Sequence, residues 1–294
     1  VSPIVAEGRH IERWTLGVLA TFTAIAVVGY WNFVVHPERL PTTPLAVRFY
    51  SVSFELFARL HIVLAASALA VVLVSQVRGR WLPALLAVYA VAFVAEHVGT
   101  GYGVPFGAYG YTGLLGPKLG GRVPVLIPLS WFLMALPAWV VARAVAPSQG
   151  LRAVRVALGA LWLVAWDLAL DPAMSFLTPY WHWDDAGPYY GMPLGNLLGW
   201  FITGVVLMTV LDTLSFRLGL GEISARWMAA YYGTVLLMPL GMAAAAGLGV
   251  AVMTTLGALG LCALLTWGVP WSAFSRRPDL TPESARLAKS GEAV

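Results

Sequence analysis

The chain has 294 residues, 59% of them hydrophobic and only 11% charged, with a net charge of +4. A soluble domain carries about 25% charged residues, so this composition excludes one and predicts an all-α, polytopic transmembrane helix bundle. The small basic excess lies in loop Lys and Arg, which excludes a nucleic-acid patch, and the lone Cys262 excludes an internal disulfide or a thiolate metal cluster.

About 20 apolar residues cross the hydrocarbon of a bilayer. Runs of that kind predict about eight spans, at 14–35, 50–77, 81–97, 124–146, 152–171, 194–216, 226–246 and 248–270. The first run is too long for a signal-peptide core and lacks a small-residue cleavage site, so it reads as a span. Residues 1–275 form a single membrane domain, and residues 276–294 a polar tail. In span two, Glu55 and Arg59 stand four apart, the spacing of an intrahelical ion pair. Span three closes on Glu96-His97 and runs into a glycine-rich loop carrying Tyr102, Phe106, Tyr109 and Tyr111. That loop is a near miss to a GxGxxG fingerprint, but it follows a helix rather than a strand, so a dinucleotide reading is poor.

Span five ends on Trp166-Asp167-Leu-Ala-Leu-Asp171-Pro172. Asp167 and Asp171 are four apart and share a helical face, and Pro172 stops the helix. Two carboxyls that close cannot both ionise cheaply, so one is expected to keep its proton and to serve as a general acid. The following loop holds Trp181, His182, Trp183, Asp184, Asp185 and Tyr190. His182, Asp184 and Asp185 match no zinc or di-iron spacing, and no metal is assigned. Asn196 opens span six as a helix cap. Asp212, near Arg217, reads as structural.

Eight spans place both termini on one side. Thirteen Lys and Arg fall on that side against four in the opposite loops, so both termini are expected to be cytoplasmic. Glu55, Glu96, Asp167 and Asp171 then gather near the extracytoplasmic end, beside the two aromatic loops. An ionisable group within a membrane span is a functional-site hypothesis by default.

The loops carry a resemblance. Residues Glu96 to Tyr111, with Gly116-Pro117, Val123-Pro124 and Ile127-Pro-Leu-Ser-Trp131, resemble the CruF-type carotenoid biosynthesis family. The Trp166–Met174 stretch, Trp181-His-Trp183, and Tyr190 through Asn196 look like its second signature. The resemblance covers roughly residues 50–215. It implies an integral-membrane hydratase, without a redox cofactor, that adds water across the terminal 1,2 double bond of an acyclic carotenoid such as lycopene, γ-carotene or bisanhydrobacterioruberin. It supplies no residue roles.

The residues suit that chemistry. Protonation of the alkene leaves a tertiary cation, which water captures. Asp167 or Asp171 is the expected donor, and Glu96 the base that orients the water. Glu55, Arg59, His97, Asp184 and Asp185 are placed in support. Tyr102, Phe106, Tyr109, Tyr111, Trp166, Trp181, Trp183 and Tyr190 offer aromatic faces to substrate and cation. No cofactor is expected. The partners are the carotenoid, the lipid bilayer of a prokaryotic cytoplasmic membrane, and downstream carotenoid-modifying enzymes. A cytoplasmic sugar donor for such a later step would sit across the membrane from an outward-facing site. Two rivals share the composition. A cyclase would form the same cation and quench it by ring closure, and a proton-coupled transporter would use the acids as an ion relay.

Overall fold

A computed structural model describes residues 3–265, apart from the side chains of residues 3–10, 54 and 55. The expected tail from 276, the last five residues of the eighth predicted span, and the Glu55 carboxyl with its pairing to Arg59 lie outside the described residues. Among the described residues eight α-helices run in chain order: α1 (Pro3–Tyr30), α2 (Pro44–Val77), α3 (Leu82–Tyr102), α4 (Leu126–Val145), α5 (Arg152–Asp171), α6 (Gly195–Leu218), α7 (Ala225–Ala245) and α8 (Gly249–Leu265). Seven are long and apolar enough to cross a membrane, and α8 is a shorter apolar helix. The all-α polytopic bundle expected from composition is therefore the fold. Helices α1 and α2 both start several residues before the predicted spans. Thr43 accepts a hydrogen bond from the Ala46 amide at 3.3 Å, and Pro44 follows it at the first helical position, two signals that start α2 early.

Helix α4 is the axis of the bundle. Every residue from Trp131 to Ala142 is buried, and α4 packs against α3, α5 and α7. Helix α5 packs on α6 and α8, and α1 on α2 and α7. The outward faces remain apolar, with Phe216 and Leu86 largely exposed, as lipid-facing surfaces require.

The buried Arg, Asp and Glu side chains lie toward the two ends of the bundle, while the buried His61–Thr23 pair lies within α1 and α2. At one end, Arg155 is buried and donates from Nε to Asp212 Oδ1 at 2.6 Å and from Nη1 to the carbonyls of Ala146 and Ser148. Arg152 reaches Asp212 Oδ2 at 3.1 Å. Asp212 is structural, as expected, but its ionic partners are Arg152 and Arg155 rather than Arg217. Helices α5 and α6 run side by side, which brings residues 57 positions apart in sequence into register. Replacing Asp212 with Leu strands a buried guanidinium, and such a loss typically costs about 3–5 kcal/mol. The expected result is a large fall in the thermal midpoint of the detergent-solubilised protein, compared with a much smaller fall for an exposed pair such as Arg80–Glu222.

At the opposite end, the two aromatic loops are joined. Strand β1 (Tyr109–Tyr111) pairs antiparallel with β4 (Trp181–Trp183), placing Tyr109 opposite Trp183 and Tyr111 opposite Trp181. A smaller ladder joins β2 (Lys118–Leu119) to β3 (Val123–Pro124). Side chains alternate across a strand, so Tyr109, Tyr111, Trp181 and Trp183 face the bundle while Gly110 and His182 face away. Arg59 of α2 is tied to this cap through Nε, which donates to the Leu114 carbonyl at 2.7 Å.

Candidate active site

Three buried carboxyls meet beneath the cap. Glu96 lies near the end of α3, Asp171 is the last residue of α5, and Asp167 lies one turn before it. These are the three acids expected to carry the chemistry. Helices α3 and α5 both end here, while α4 and α6 begin here, so Trp131 and Asn196 enter the same layer.

Glu96 is held by three neutral donors. Tyr109 and Tyr111 both donate to Oε2, the latter at 2.8 Å, and Trp131 Nε1 donates to Oε1 at 2.7 Å. Burial, then the neighbouring Glu96 carboxyl, pushes both phenols well above their ordinary range, so both remain donors at any physiological pH. The close approach of Tyr109 depends on Gly99, one turn before the end of α3. A Cβ there would fall 2.9 Å from the Tyr109 hydroxyl and 2.8 Å from Phe106.

Asp171 accepts from Trp181 Nε1 at 2.8 Å through Oδ1 and from Asn196 Nδ2 at 2.5 Å through Oδ2. The same Asn196 nitrogen reaches Asp167 Oδ2 at 3.0 Å. One amide thus bridges the pair. Asp167 Oδ1 is buried with no partner. Asn196 does not cap α6; its side chain points into the bundle, where two carboxyls offer stronger acceptors than a backbone amide offers as a donor.

A cavity of about 40 Å³ lies between these groups. Glu96, Asp171 and Asn196 supply its polar surface, and Phe106, Tyr109, Tyr111, Trp131, Trp181, Trp183 and Trp200 its aromatic walls. Trp131 stacks on Trp200 with ring centroids 3.9 Å apart. Trp166 packs edge-on against Trp200 at 5.7 Å and stands behind this wall rather than in it.

Several other predicted site residues are not brought here. Tyr102 is 80% exposed. Tyr190 packs against Phe176 and Tyr189, away from the cavity. Asp184 and Asp185 are exposed just past β4, and Asp184 lies 3.7 Å from His182 on the outer face of the cap. His97 follows Glu96 but faces a different side of α3, where it packs against Phe93 and Gly120. Arg59 contacts backbone carbonyls of the cap. Conversely, Asn196, Trp131 and Trp200 complete the site, although the sequence offers Asn196 as a cap, places Trp131 and Asn196 in the family-like stretches without a role, and does not single out Trp200.

The fold and site agree with what comparison finds. A family described as carotenoid biosynthesis protein matches residues 57–262. The chain belongs to that family. The matched range includes all three acids, both halves of the aromatic cap, and Trp131, Asn196 and Trp200. The chain is also similar to a bisanhydrobacterioruberin hydratase of Haloarcula japonica, with 29% identity over 211 residues, covering 71% of this chain and 67% of the relative. No solved structure matches. Family membership and seven membrane-capable helices fit a multi-pass integral membrane protein acting on carotenoids.

Proposed function

We propose that this protein hydrates the terminal 1,2 double bond of an acyclic carotenoid end group, giving a tertiary alcohol. The observation that carries the reading is a single small cavity between Asp171 and Glu96, walled by aromatic rings. Its volume exceeds the roughly 10–15 Å³ that a water molecule needs, so it can hold the attacking water.

Asp171 in its protonated form is the donor, because it borders the cavity while Asp167 stands behind it. Its proton goes to C2 of the alkene, and the π electrons form the new C–H bond. Positive charge develops on C1, the carbon bearing two methyl groups. Facing rings stabilise it through cation–π attraction, worth on the order of 2 kcal/mol each when desolvated. The ionised Glu96, secured by three donors, adds a full opposite charge and orients the water. The water oxygen bonds to C1 and its proton passes to Glu96. Return of that proton to Asp171 through the next water resets the site, so alkene plus water gives alcohol with no net consumption of acid. Asp167 and Asn196 are positioning residues that fix the Asp171 carboxyl.

The charge bias between loops supports cytoplasmic termini and an acid layer near the outer face of a prokaryotic cytoplasmic membrane. Lycopene, γ-carotene and bisanhydrobacterioruberin are the candidate substrates, and the related hydratase bears the last of these in its name.

The test is expression in a lycopene-producing host grown in H₂¹⁸O. The expected product is a hydroxylated carotenoid carrying one labelled oxygen per modified end. Oxygen drawn from O₂, or a ring-closed product of unchanged mass, would overturn the hydratase reading; the latter would make the protein a cyclase.

A further inference from the structure

The acid cavity is too small for the reacting end of a carotenoid, so volume for the substrate has to come from elsewhere. A second cavity of about 410 Å³ lies beside it, between α1, α2, α7 and the π-helical turn Pro172–Phe176 that follows Asp171. That volume falls within the range of about 300–1,000 Å³ usual for small-molecule sites. Its lining is hydrocarbon and aromatic, with Gly29, Phe33, Phe57, Met174 and Met238 among the walls. Methionine and phenylalanine side chains adapt to long apolar ligands. Five lining residues carry hydroxyls, Tyr30, Tyr50, Ser53, Thr178 and Tyr180, and those of Ser53 and Thr178 are already committed. Ser53 donates to the Phe49 carbonyl at 2.7 Å and Thr178 to the Ala173 carbonyl at 2.6 Å. Neither proton is left for a polar ligand.

Residues of one chain segment, 170–181, line both cavities. Met174, Thr178 and Tyr180 face the large cavity. The next residue, Trp181, faces the small one and donates to Asp171. That segment leaves Asp171 as a π turn, a form of helix that recurs at functional sites.

We infer that the large cavity is the berth of an acyclic polyisoprenoid hydrocarbon chain, whose terminal double bond reaches Asp171 past the Met174–Tyr180 segment. This rests on the hydratase reading for the identity of the reacting end. It assigns the non-reacting chain its own site, where binding energy remote from the chemistry is available to the reaction.

Gly29 allows a direct test, because a Cβ there meets no atom within 4 Å, and the same is true of Gly17 on the same helix, which lies outside the cavity. Gly29→Phe should fill the berth, with Gly17→Phe as the control for membrane insertion. For lycopene hydration by the whole protein in nanodiscs, Gly29→Phe should lower kcat/KM by about tenfold or more, chiefly through KM, while Gly17→Phe stays near wild type. A geranylgeranyl hydrocarbon bearing a diazirine should label peptides containing Phe33 or Met174 on irradiation. Lycopene should compete with that label, Gly29→Phe should remove it, and Asp171→Asn should retain it. Labelling elsewhere, equal competition by phosphatidylcholine, or unchanged kinetics in folded Gly29→Phe would overturn the berth. Labelling as expected without any hydrated product would keep the berth and remove the hydratase reading. Product formation without this labelling would do the reverse.

Discussion

Asp171→Asn should eliminate hydrated product while leaving a folded, membrane-inserted protein. The substitution keeps the shape of the carboxyl and removes the proton that the alkene must receive. General acid catalysis is worth about 10²–10⁴ in rate, so activity should fall by at least that factor. The local bonding explains why folding survives at modest cost. The new amide oxygen can still accept from Trp181, but its nitrogen would then face the Asn196 nitrogen, which now donates at 2.5 Å. Two donors cannot face each other, so Asn196 must turn its carbonyl inward and give up its bond to Asp167. One lost buried hydrogen bond costs about 1–3 kcal/mol. Asp167→Asn should be milder. Its oxygen can remain on Asn196, and its nitrogen takes the position of the unpartnered Oδ1. Activity in detergent, normalised to folded protein by gel filtration, separates the two. Full activity in both variants would refute the acid assignment.

The second large effect is at Glu96, where two substitutions should diverge. Glu96→Ala leaves the hydroxyls of Tyr109 and Tyr111 and the indole N–H of Trp131 buried without their acceptor. At about 1–3 kcal/mol per orphaned group, the loss is a large share of the 5–15 kcal/mol that holds a typical domain together. A steep fall in thermal midpoint is expected. Glu96→Gln can keep its carbonyl on Trp131, which can only donate, and turn its nitrogen toward the tyrosines, whose hydroxyls can rotate to accept. That variant should fold nearly as well as wild type and still lose activity by about two orders of magnitude or more, because the negative charge facing the cation is gone. Equal stability of the Ala and Gln variants would contradict the hydrogen-bond pattern. Wild-type turnover in Glu96→Gln would remove Glu96 from the chemistry.

Much of this arrangement is legible in the sequence. Long apolar runs fix the bundle, and alternating span direction brings Glu96 and the Asp167–Asp171 pair to one end. The i, i+4 spacing puts the aspartates on one helical face. What is not legible follows from local ambiguity. Asn at the start of a helix reads as a cap, and only the neighbouring helix α5 supplies the carboxyls that draw it inward. Trp131 and Trp200 sit in apolar spans where any aromatic reads as packing. The β1–β4 pairing joins two three-residue segments about 70 positions apart, too short for alternation to register. That pairing also decides the fate of Asp184 and Asp185. Once Trp181 and Trp183 face inward, the chain leaves the ladder, and the acids that follow fall on the solvent side.

The ladder also makes the two loops a single evolutionary unit. Gly110 lies opposite His182, and a Cβ at 110 would come within 3.1 Å of that imidazole. Gly107 is similarly covered by Pro193, 2.9 Å from where its Cβ would be. A side chain gained in the first loop therefore requires a smaller or displaced partner in the second. Among relatives, positions 110 and 182, and positions 107 and 193, should change together even though two membrane-spanning helices, α4 and α5, separate each pair in the chain. A chimera that exchanges only one of the two loops between distant relatives should fail where a chimera exchanging both succeeds.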